Sequence, residues 1–170
     1  MDREVLVTER FKVVEKAFPR EGKPPLMRQV VVHPGAAVIL PLLPDGRIVT
    51  IRHFRRAVDK ELIELPAGTL EPGETPAQTA FRELEEETGY RAGSLEPVIE
   101  FFPSPGILTE RMYIFVATDL TQVGQRLEES ERIRVHIVTR EEAWRLLVDG
   151  CLEDGKTIAA LGLFFARAKG

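Results

Sequence analysis

Four carboxylates and one guanidinium lie within six consecutive positions, as Arg82, Glu83, Glu85, Glu86 and Glu87. Like charges that face one another on a helix destabilise it by about 0.2–0.5 kcal/mol per pair, so we expect a cation among these carboxylates. Mg²⁺ and Mn²⁺ are hard ions that take oxygen ligands and keep several waters. An acidic run is often only the solvated face of a helix, and the run alone leaves both interpretations open.

The residues around this run predict the helix that positions it. Thr75 is a good N-cap, and Pro76 suits the first helical position. Gln78 completes a capping box with Thr75. Gly89 is typical of the residue that ends a helix. We therefore expect a helix that begins at Pro76 and ends before Gly89.

The spacing of the residues predicts which face of this helix is buried. The residues of this face recur at helical spacing, and they are Ala77, Ala80, Phe81, Leu84 and Thr88. At roughly 100° per residue, Glu83 and Glu87 lie at one border of that face. Arg82 and Glu86 lie slightly further round, and Glu85 lies on the other flank. Glu83 and Glu87 thus lie at a half-buried border, where water screens charge only partly, and such a border suits a hard ion such as Mg²⁺ or Mn²⁺.

The spacing of the whole segment from Gly68 to Tyr90 resembles the Nudix box. The matching residues are Gly68, Glu74, Arg82, Glu83, Leu84, Glu86, Glu87 and Gly89. Tyr90 departs from the family pattern, which usually has an aliphatic residue at this packing position. The resemblance to Nudix hydrolases covers about residues 36 to 170.

This resemblance implies a metal site. In Nudix hydrolases the glutamates that match Glu83 and Glu87 bind the metals, usually together with the one that matches Glu86. A backbone carbonyl beside the first glycine, here that of Ala67, often adds a ligand. The implied cofactor is Mg²⁺, with Mn²⁺ or Zn²⁺ as alternatives.

Other charged residues are expected to support this site. Arg82 would orient the glutamates, since an ion pair with Glu86 is permitted four residues further on, and Glu74 would anchor the cluster from the loop. A basic patch precedes the helix and consists of Arg52, His53, Arg55, Arg56 and Lys60. Of these, Arg55 is expected to hold an anionic substrate opposite the metals.

Hydrolysis of a diphosphate also requires an activated water. Metal ions neutralise phosphate oxygens and lower the pKa of a bound water. The candidates for a general base are Glu86 itself or a loop carboxylate from Glu110, Glu128 or Glu129. Three histidines are scattered along the chain and are not expected to bind metal, namely His33, His53 and His136.

Two further segments resemble the ADP-ribose and related sugar-nucleotide pyrophosphatases of this family. ELPAG, at Glu64 to Gly68, leads into the box, and Pro105 lies fifteen residues after Tyr90, where ADP-ribose hydrolases typically carry a proline. The implied activity is metal-dependent hydrolysis of ADP-ribose to AMP and ribose 5-phosphate. The residues expected to contact this substrate are Arg28, Arg55, Glu64, Ser104, Pro105, Gly106 and Glu110.

Two alternatives stay open on these residues. The substrate could be another nucleoside diphosphate sugar, a dinucleotide such as a dinucleoside polyphosphate, or a nucleoside triphosphate. The domain could also bind nucleotides without catalysis. Non-catalytic Nudix domains commonly lose glutamates of the box, whereas this chain keeps them all, which favours an enzyme.

Length, charge and cysteine content restrict the class of protein. A chain of 170 residues that is 44% hydrophobic fits one domain with a core. A net charge of −4 disfavours binding to nucleic acid, which needs a basic face. The sequence has no membrane-span or signal-peptide pattern, and the single Cys151 cannot form an internal disulfide. We therefore expect a cytoplasmic protein without nucleic-acid or membrane partners, and the resemblance implies an enzyme that acts on a small-molecule nucleotide sugar.

The remaining segments predict an α+β fold. Residues 5–14 are expected to form an extended strand or a hairpin. Further strands are expected at residues 29–33, 36–43, 48–52, 95–102, 112–118 and 133–138, with a hairpin turn at 44–46 and a linker or turn at 18–25. A capping box of Thr139 and Glu142 predicts a second helix that Gly150 ends, and residues 157–169 predict a terminal helix. With the resemblance, this order implies a Nudix-type α/β/α sandwich with a mixed sheet.

The first 35 residues are expected to be a separate extended or β segment, in front of a Nudix domain that spans residues 36–170. A segment this short cannot bury a core of its own, so it needs another surface to cover. In ADP-ribose pyrophosphatases a comparable segment packs across a homodimer. The resemblance therefore implies a homodimer in which Arg28 reaches the substrate site of the partner.

Overall fold

The computed structural model describes residues 2–129 and 131–168, and within these ranges it contains twelve strands and three helices. In chain order they are β1 (Arg3–Val7), β2 (Lys12–Arg20), β3 (Lys23–Val32), β4 (Ala36–Pro41), β5 (Ile48–Arg55), β6 (Lys60–Glu64), β7 (Ala67–Thr69), α1 (Pro76–Thr88), β8 (Tyr90–Arg91), β9 (Ser94–Phe101), β10 (Met112–Thr118), β11 (Thr121–Gln122), β12 (Ile133–Val138), α2 (Arg140–Val148) and α3 (Gly155–Arg167).

The N-terminal segment is a three-stranded antiparallel sheet in the order β1-β2-β3. Of the linker or turn predicted at residues 18–25, the turn is confirmed at Glu21 and Gly22, whereas the residues on either side complete β2 and open β3. The sheet tolerates Pro19 here because the register shifts between Phe18 and Arg20, and β1 does not extend this far. The predicted hairpin near the N-terminus is confirmed.

Two sheets form the centre of the molecule. One has the order β7-β4-β10-β9 and is mixed, since β10 runs parallel to β4 while the other pairs are antiparallel. The other has the order β12-β5-β6 and is antiparallel. This mixed arrangement confirms the predicted α+β class and the mixed sheet.

The hairpin predicted between β4 and β5 is wrong. Both strands flank the expected turn, but they belong to different sheets and share only a bridge between Leu42 and Ile48. Each strand finds its partners elsewhere, β4 between β7 and β10 and β5 between β12 and β6. The turn at 43–47 therefore passes the chain from one sheet to the other.

The core lies on both faces of β4, whose six residues are all buried. Val38 and Leu40 pack in a cluster with Leu161 of α3, whereas Ala37 and Ile39 pack in a second cluster with Leu84 of α1. Successive strand residues point to opposite faces. The alternation therefore places β4 between helices on either side, as the predicted α/β/α sandwich requires.

Helix α1 has the predicted bounds and caps. Thr75 and Gln78 form the capping box, and Gly89, at φ +72°, donates its N–H to the carbonyl of Glu85. One member of the predicted buried face is wrong, since Phe81 is 41% exposed. The helix is rotated so that its acidic border turns inwards. Its buried residues are Thr79, Ala80, Leu84, Glu87 and Thr88.

The two C-terminal helices pack against each other. Helix α2 has the predicted capping box of Thr139 and Glu142, and Gly150 follows it at φ +71°. Helix α3 begins two residues earlier than predicted because Asp154 is its N-cap, and its predicted end at Lys169 lies outside the described residues. Among the described helices, none is both long enough and apolar enough to cross a membrane.

Candidate metal and diphosphate site

Glu87 is the most deeply buried carboxylate of helix α1, with 2% of its surface exposed. Its Oε2 accepts a hydrogen bond from the N–H of Ala67 at 2.8 Å, which joins the helix to β7. Burial raises the pKa of Glu87 well above its usual value, and the nearby charges of Glu83 and Glu131 raise it further. A carboxylate in this position gains from any cation beside it.

Glu83 lies one turn earlier on the same face, against the backbone of Gly68. A Cβ atom placed on Gly68 would lie 1.8 Å from Oε1 of Glu83, so only glycine leaves room for this carboxylate. Burial raises the pKa of Glu83 to about 7, although the adjacent guanidinium of Arg82 opposes the shift. Glycine at position 68 therefore lets helix α1 approach the strand loop closely.

Arg82 connects these carboxylates. Its Nη1 donates to Glu83 at 2.7 Å and to Glu86 at 3.2 Å, which confirms the predicted ion pair four residues apart. Its Nε and Nη2 donate to the two carboxylate oxygens of Glu74 at 2.9 and 3.0 Å. These bonds from Arg82 lower the pKa of Glu74 to about 2. Glu74 therefore anchors the cluster from the loop, as expected.

Glu85 faces the other flank, as its helical position predicts. It pairs with Arg91 at 2.8 Å and with Arg126 at 2.5 Å. The pKa of Glu85 is lowered, and the hydrogen bond from Arg91 is the largest cause. Glu85 thus has cationic partners of its own and lies apart from the buried pair.

The residues at this border fit a hard divalent cation. Glu83 and Glu87 are two carboxylates whose pKa values are raised by burial, so their ionised forms need a positive charge nearby. Among the described residues, no three acidic, histidine or cysteine side chains converge into a complete cage. Ions such as Mg²⁺ keep several waters and are bound by few carboxylates, so a partial protein ligand set suffices.

A second charged cluster holds Arg55. Glu64 is completely buried and accepts from Nε and Nη2 of Arg55 at 2.8 and 2.6 Å. Lys156 also donates to Glu64, and it pairs with Asp154 at 2.9 Å. The attraction of both cations outweighs burial and lowers the pKa of Glu64. Sequence analysis missed Lys156, since it lies 92 residues from Glu64.

Two cavities meet between these clusters, and both are lined by Arg55, Ala67, Gly68 and Thr69. The smaller, of about 520 Å³, is also lined by Glu64, Phe101, Pro103, Glu110, Met112 and Lys156. The larger, of about 760 Å³, is also lined by residues 8–12 of the N-terminal sheet and by His33, His53, Glu74, Arg82, Glu83, Glu87, Glu128 and Glu131.

The acidic loop before β12 contributes unequally to the larger cavity. Glu128 and Glu129 are both exposed, but only Glu128 lines this cavity. Glu131 also lines it and raises the pKa values of both Glu83 and Glu87 through its charge. Sequence analysis missed Glu131, although its membership of the same acidic run was a signal that could have found it.

Other residues that were predicted to contact the substrate do not belong to the acidic cluster of α1. Glu110 lines the smaller cavity and contacts Nδ1 of His33 at 3.3 Å. Ser104, Pro105 and Gly106 form an exposed turn, and they line neither of the two cavities. Arg28 is exposed on β3 and donates to the carbonyl of Met27. Contacts of these residues with substrate stay predictions.

The chain is similar to known proteins along most of its length. The NUDIX domain family model matches residues 32–161. The chain is 40% identical over 136 residues to the ADP-ribose pyrophosphatase of Bacillus subtilis (79% of this chain and 74% of that protein). It is 35% identical over 161 residues to the ADP-ribose pyrophosphatase of Escherichia coli strain K12 (89% and 77%).

Two further relatives complete the comparison. The methanol dehydrogenase activator of Bacillus methanolicus is 37% identical over 136 residues (79% of this chain and 74% of that protein). A crystal structure described as an ADP compounds hydrolase has the same fold, with a TM-score of 0.85 and 23% identity over 100% of this chain and 92% of that one. The domain match, the relatives and the retained box together show that this chain belongs to the Nudix family of hydrolases.

Proposed function

We propose that this chain hydrolyses the diphosphate bond of ADP-ribose to AMP and ribose 5-phosphate, with a divalent metal ion as cofactor. The relatives named ADP-ribose pyrophosphatase support this substrate. The retained glutamates of the box support an enzyme rather than a passive nucleotide-binding domain. Mg²⁺ is the proposed ion, with Mn²⁺ and Zn²⁺ as alternatives, because the carboxylates of the site supply hard oxygen ligands.

The observation that carries the proposal is the pair of cavities that share Arg55 and residues 67–69. A nucleoside diphosphate sugar has a charged centre with an organic group on each side. Its diphosphate fits the shared border, where Arg55 and the acidic cluster approach each other, and one arm fits each cavity. A nucleoside triphosphate has only one such arm and would leave one cavity unused.

The metal would be held by Glu83, Glu86 and Glu87 together with the carbonyl of Ala67. When bound, it supplies positive charge to the phosphate oxygens and lowers the pKa of a coordinated water. The contribution of the protein is to fix the positions of the carboxylates that would bind this metal. Arg82 holds the carboxylates of Glu83 and Glu86 in place.

Arg55 would hold the diphosphate from the opposite side. Its Nε and Nη2 are bound by Glu64, and its side chain lines both cavities. A guanidinium that is fixed in advance loses little entropy when it binds phosphate. Glu64 is completely buried, so we propose that it acts on the substrate through Arg55.

A loop carboxylate would accept the proton of the attacking water. Glu128 and Glu131 line the cavity that also contains Glu83 and Glu87. We propose Glu128 or Glu131 for this role ahead of Glu129, which does not line that cavity, and ahead of Glu86, which is bound to Arg82. Glu128→Gln, Glu129→Gln and Glu131→Gln, compared by the pH dependence of kcat, would identify the base.

A homodimer and a cytoplasmic location complete the proposal. The N-terminal sheet exposes apolar side chains that a second copy could cover, namely Val5, Leu6, Val7, Phe18 and Met27. In such a dimer Arg28 could reach the partner's substrate. The exposed single cysteine, Cys151, supports a reducing compartment.

A substrate comparison tests this function. With Mg²⁺ and equal concentrations of ADP-ribose, ADP-glucose, GDP-mannose, NADH, diadenosine polyphosphates and nucleoside triphosphates, we expect the highest kcat/KM for ADP-ribose. The expected products are AMP and ribose 5-phosphate alone. Cleavage of another compound more than about tenfold better, which is roughly 1.4 kcal/mol in transition-state binding, would contradict the substrate assignment.

A further inference from the structure

His53 is a buried histidine in the wall of the larger cavity. It lies on β5 and only 8% of its surface is exposed. Its Nδ1 is the only buried side-chain nitrogen or oxygen, within residues 2–129 and 131–168, that has no hydrogen-bond partner. Buried polar atoms are almost always paired, and an exception points to a catalytic role or to a bound water or ion.

The unpartnered nitrogen faces a carboxylate of the proposed metal site. Nδ1 of His53 lies 4.0 Å from Oε1 of Glu87, which is too far for a hydrogen bond. Two ligands that lie about 2.0–2.2 Å from one ion are separated by roughly 3.0 Å when adjacent and by up to roughly 4.4 Å when opposite. The separation of Nδ1 and Oε1 is within this range. The other oxygen of Glu87 is already bonded to the N–H of Ala67.

The surroundings of the ring favour its neutral form, which is the form that binds metal. Burial lowers the pKa of His53 to about 4, and the positive charges of Arg55, Lys156 and Arg10 lower it further, while Glu64 opposes them. The lone pair of the ring is available on whichever nitrogen carries no hydrogen.

We propose that His53 supplies a nitrogen ligand to the divalent ion bound by Glu87. This inference rests on the metal site of the proposed function and gives it a mixed nitrogen and oxygen character. Imidazole favours Zn²⁺, Fe²⁺ and Ni²⁺, whereas an all-oxygen site suits Mg²⁺. A nitrogen ligand would raise the affinity of this site for Zn²⁺ relative to Mg²⁺. The carbonyl of Ala67, Glu83 and waters complete the coordination, since the described side chains alone form no complete cage.

Electron spin echo spectroscopy on bound Mn²⁺ tests this directly. The full chain, free of substrate, is loaded with one equivalent of Mn²⁺. We expect modulation from a directly coordinated ¹⁴N, and a change to the ¹⁵N pattern in protein grown with ¹⁵N-histidine. The isotope comparison needs no substitution, so it does not depend on whether any variant folds.

Two variants identify the histidine. His53→Gln should abolish the nitrogen signal, whereas His136→Gln should keep it, because His136 lies on the neighbouring strand β12 and bonds Thr50 instead. By calorimetry, His53→Gln should weaken Zn²⁺ binding at least about tenfold and Mg²⁺ binding less than about twofold.

The outcomes separate this inference from the proposed function. Stoichiometric Mn²⁺ binding without nitrogen modulation would overturn the role of His53 while the metal site stands. Equal weakening of Zn²⁺ and Mg²⁺ binding in His53→Gln would also overturn it, because this result means that the ring only positions Glu87. If the full chain bound no Mn²⁺ at millimolar concentration, the metal site itself would fail.

Discussion

Three glutamates of one loop and helix show how position sets the chemistry of a single residue type. Glu74 accepts two bonds from Arg82, and its pKa falls to about 2. Glu83 contacts the same guanidinium but is buried, and its pKa rises to about 7. Glu87 is buried without an arginine bonded to it, and its pKa rises well above the usual value. The two carboxylates that most need a cation are those assigned to the metal.

Removing either carboxylate should therefore impair catalysis more than folding. We expect Glu83→Gln and Glu87→Gln to lower kcat at least about 100-fold, because each removes a major electrostatic contribution to the transition state. The matched control is Glu85→Gln on the opposite flank, which should change kcat little. Near-normal turnover of both site variants at saturating Mg²⁺ would contradict the assignment, provided that circular dichroism shows them folded.

Lys156 should matter through the position of Arg55. It shares Glu64 with Arg55 from the start of α3, so Lys156→Met would let Glu64 and Arg55 shift. A misplaced binding group lowers kcat/KM on the order of tenfold to 100-fold, and we expect this loss to appear mainly as a higher KM for ADP-ribose. Lys156→Arg should restore much of it.

Lys60 offers a matched control for this experiment. Lys60 also joins β6 to the segment before α3, through an exposed pair with Glu153 at 2.6 Å. Lys60→Met should leave KM unchanged, because this pair does not contact Glu64. If Lys60→Met and Lys156→Met raised KM equally, Lys156 would have only a structural role.

At the scale of elements, the site depends on the close approach of β7 to α1. Gly68→Ala would place a methyl group 1.8 Å from the present position of Glu83 Oε1, so the carboxylate would have to move. We expect a fall of at least about tenfold in kcat and in metal affinity, since ligand geometry is disturbed. Gly162→Ala on α3 meets no atom within 4 Å and should retain both. Unchanged metal affinity in Gly68→Ala would argue against Glu83 as a ligand.

The loop before α1 is held to the helix by Glu74 and Arg82, and this contact should give stability a defined dependence on pH. The pKa of Glu74 in the folded protein is lowered to about 2, below its ordinary value of 4.5. Its contribution is therefore complete above about pH 4.5 and is lost as the pH falls towards 2. Glu74→Gln should lose on the order of 1–3 kcal/mol at pH 7.

Urea unfolding of the wild type and of Glu74→Gln at several pH values measures this effect. The difference in free energy of unfolding should shrink between pH 4.5 and pH 2. A difference that stayed constant over this range would show that the ionised carboxylate of Glu74 does not stabilise the fold.

At the scale of the whole molecule, the N-terminal sheet leaves apolar surface uncovered. Its strand β1 is exposed at every residue and includes Val5, Leu6 and Val7, which are 49–55% exposed. Residues 8–12, which follow β1, also line the larger cavity beside the acidic cluster. A partner that covers this sheet would therefore lie close to the substrate site.

The proposed homodimer can be measured by light scattering at micromolar concentration. The full chain should have twice the mass of one copy, and a truncation that begins at Gly35 should be monomeric. Val7→Glu should also weaken the dimer, because it places a charge in the covered surface. Val148→Glu is the matched control, since Val148 is similarly exposed on α2. A full chain that is monomeric would refute the proposal.

Local sequence determined the helix of the box and most of the strands. The caps of α1 and α2 depend on contacts between residues three positions apart, and both capping boxes occur as predicted. Strands β10 and β12 have the predicted bounds, because each is a short run rich in apolar residues with polar or charged residues on both sides. The ion pair of Arg82 with Glu86 also follows from helical spacing.

Tertiary structure alone decided the remaining features, since they depend on segments that are distant in sequence. The turn between β4 and β5 joins two sheets instead of closing a hairpin, because strand partners are set by the whole fold. Burial of Glu87 instead of Phe81 depends on how α1 is rotated over β4. Lys156 reaches Glu64, and His53 faces Glu87, only because α3 and β5 pack beside the box.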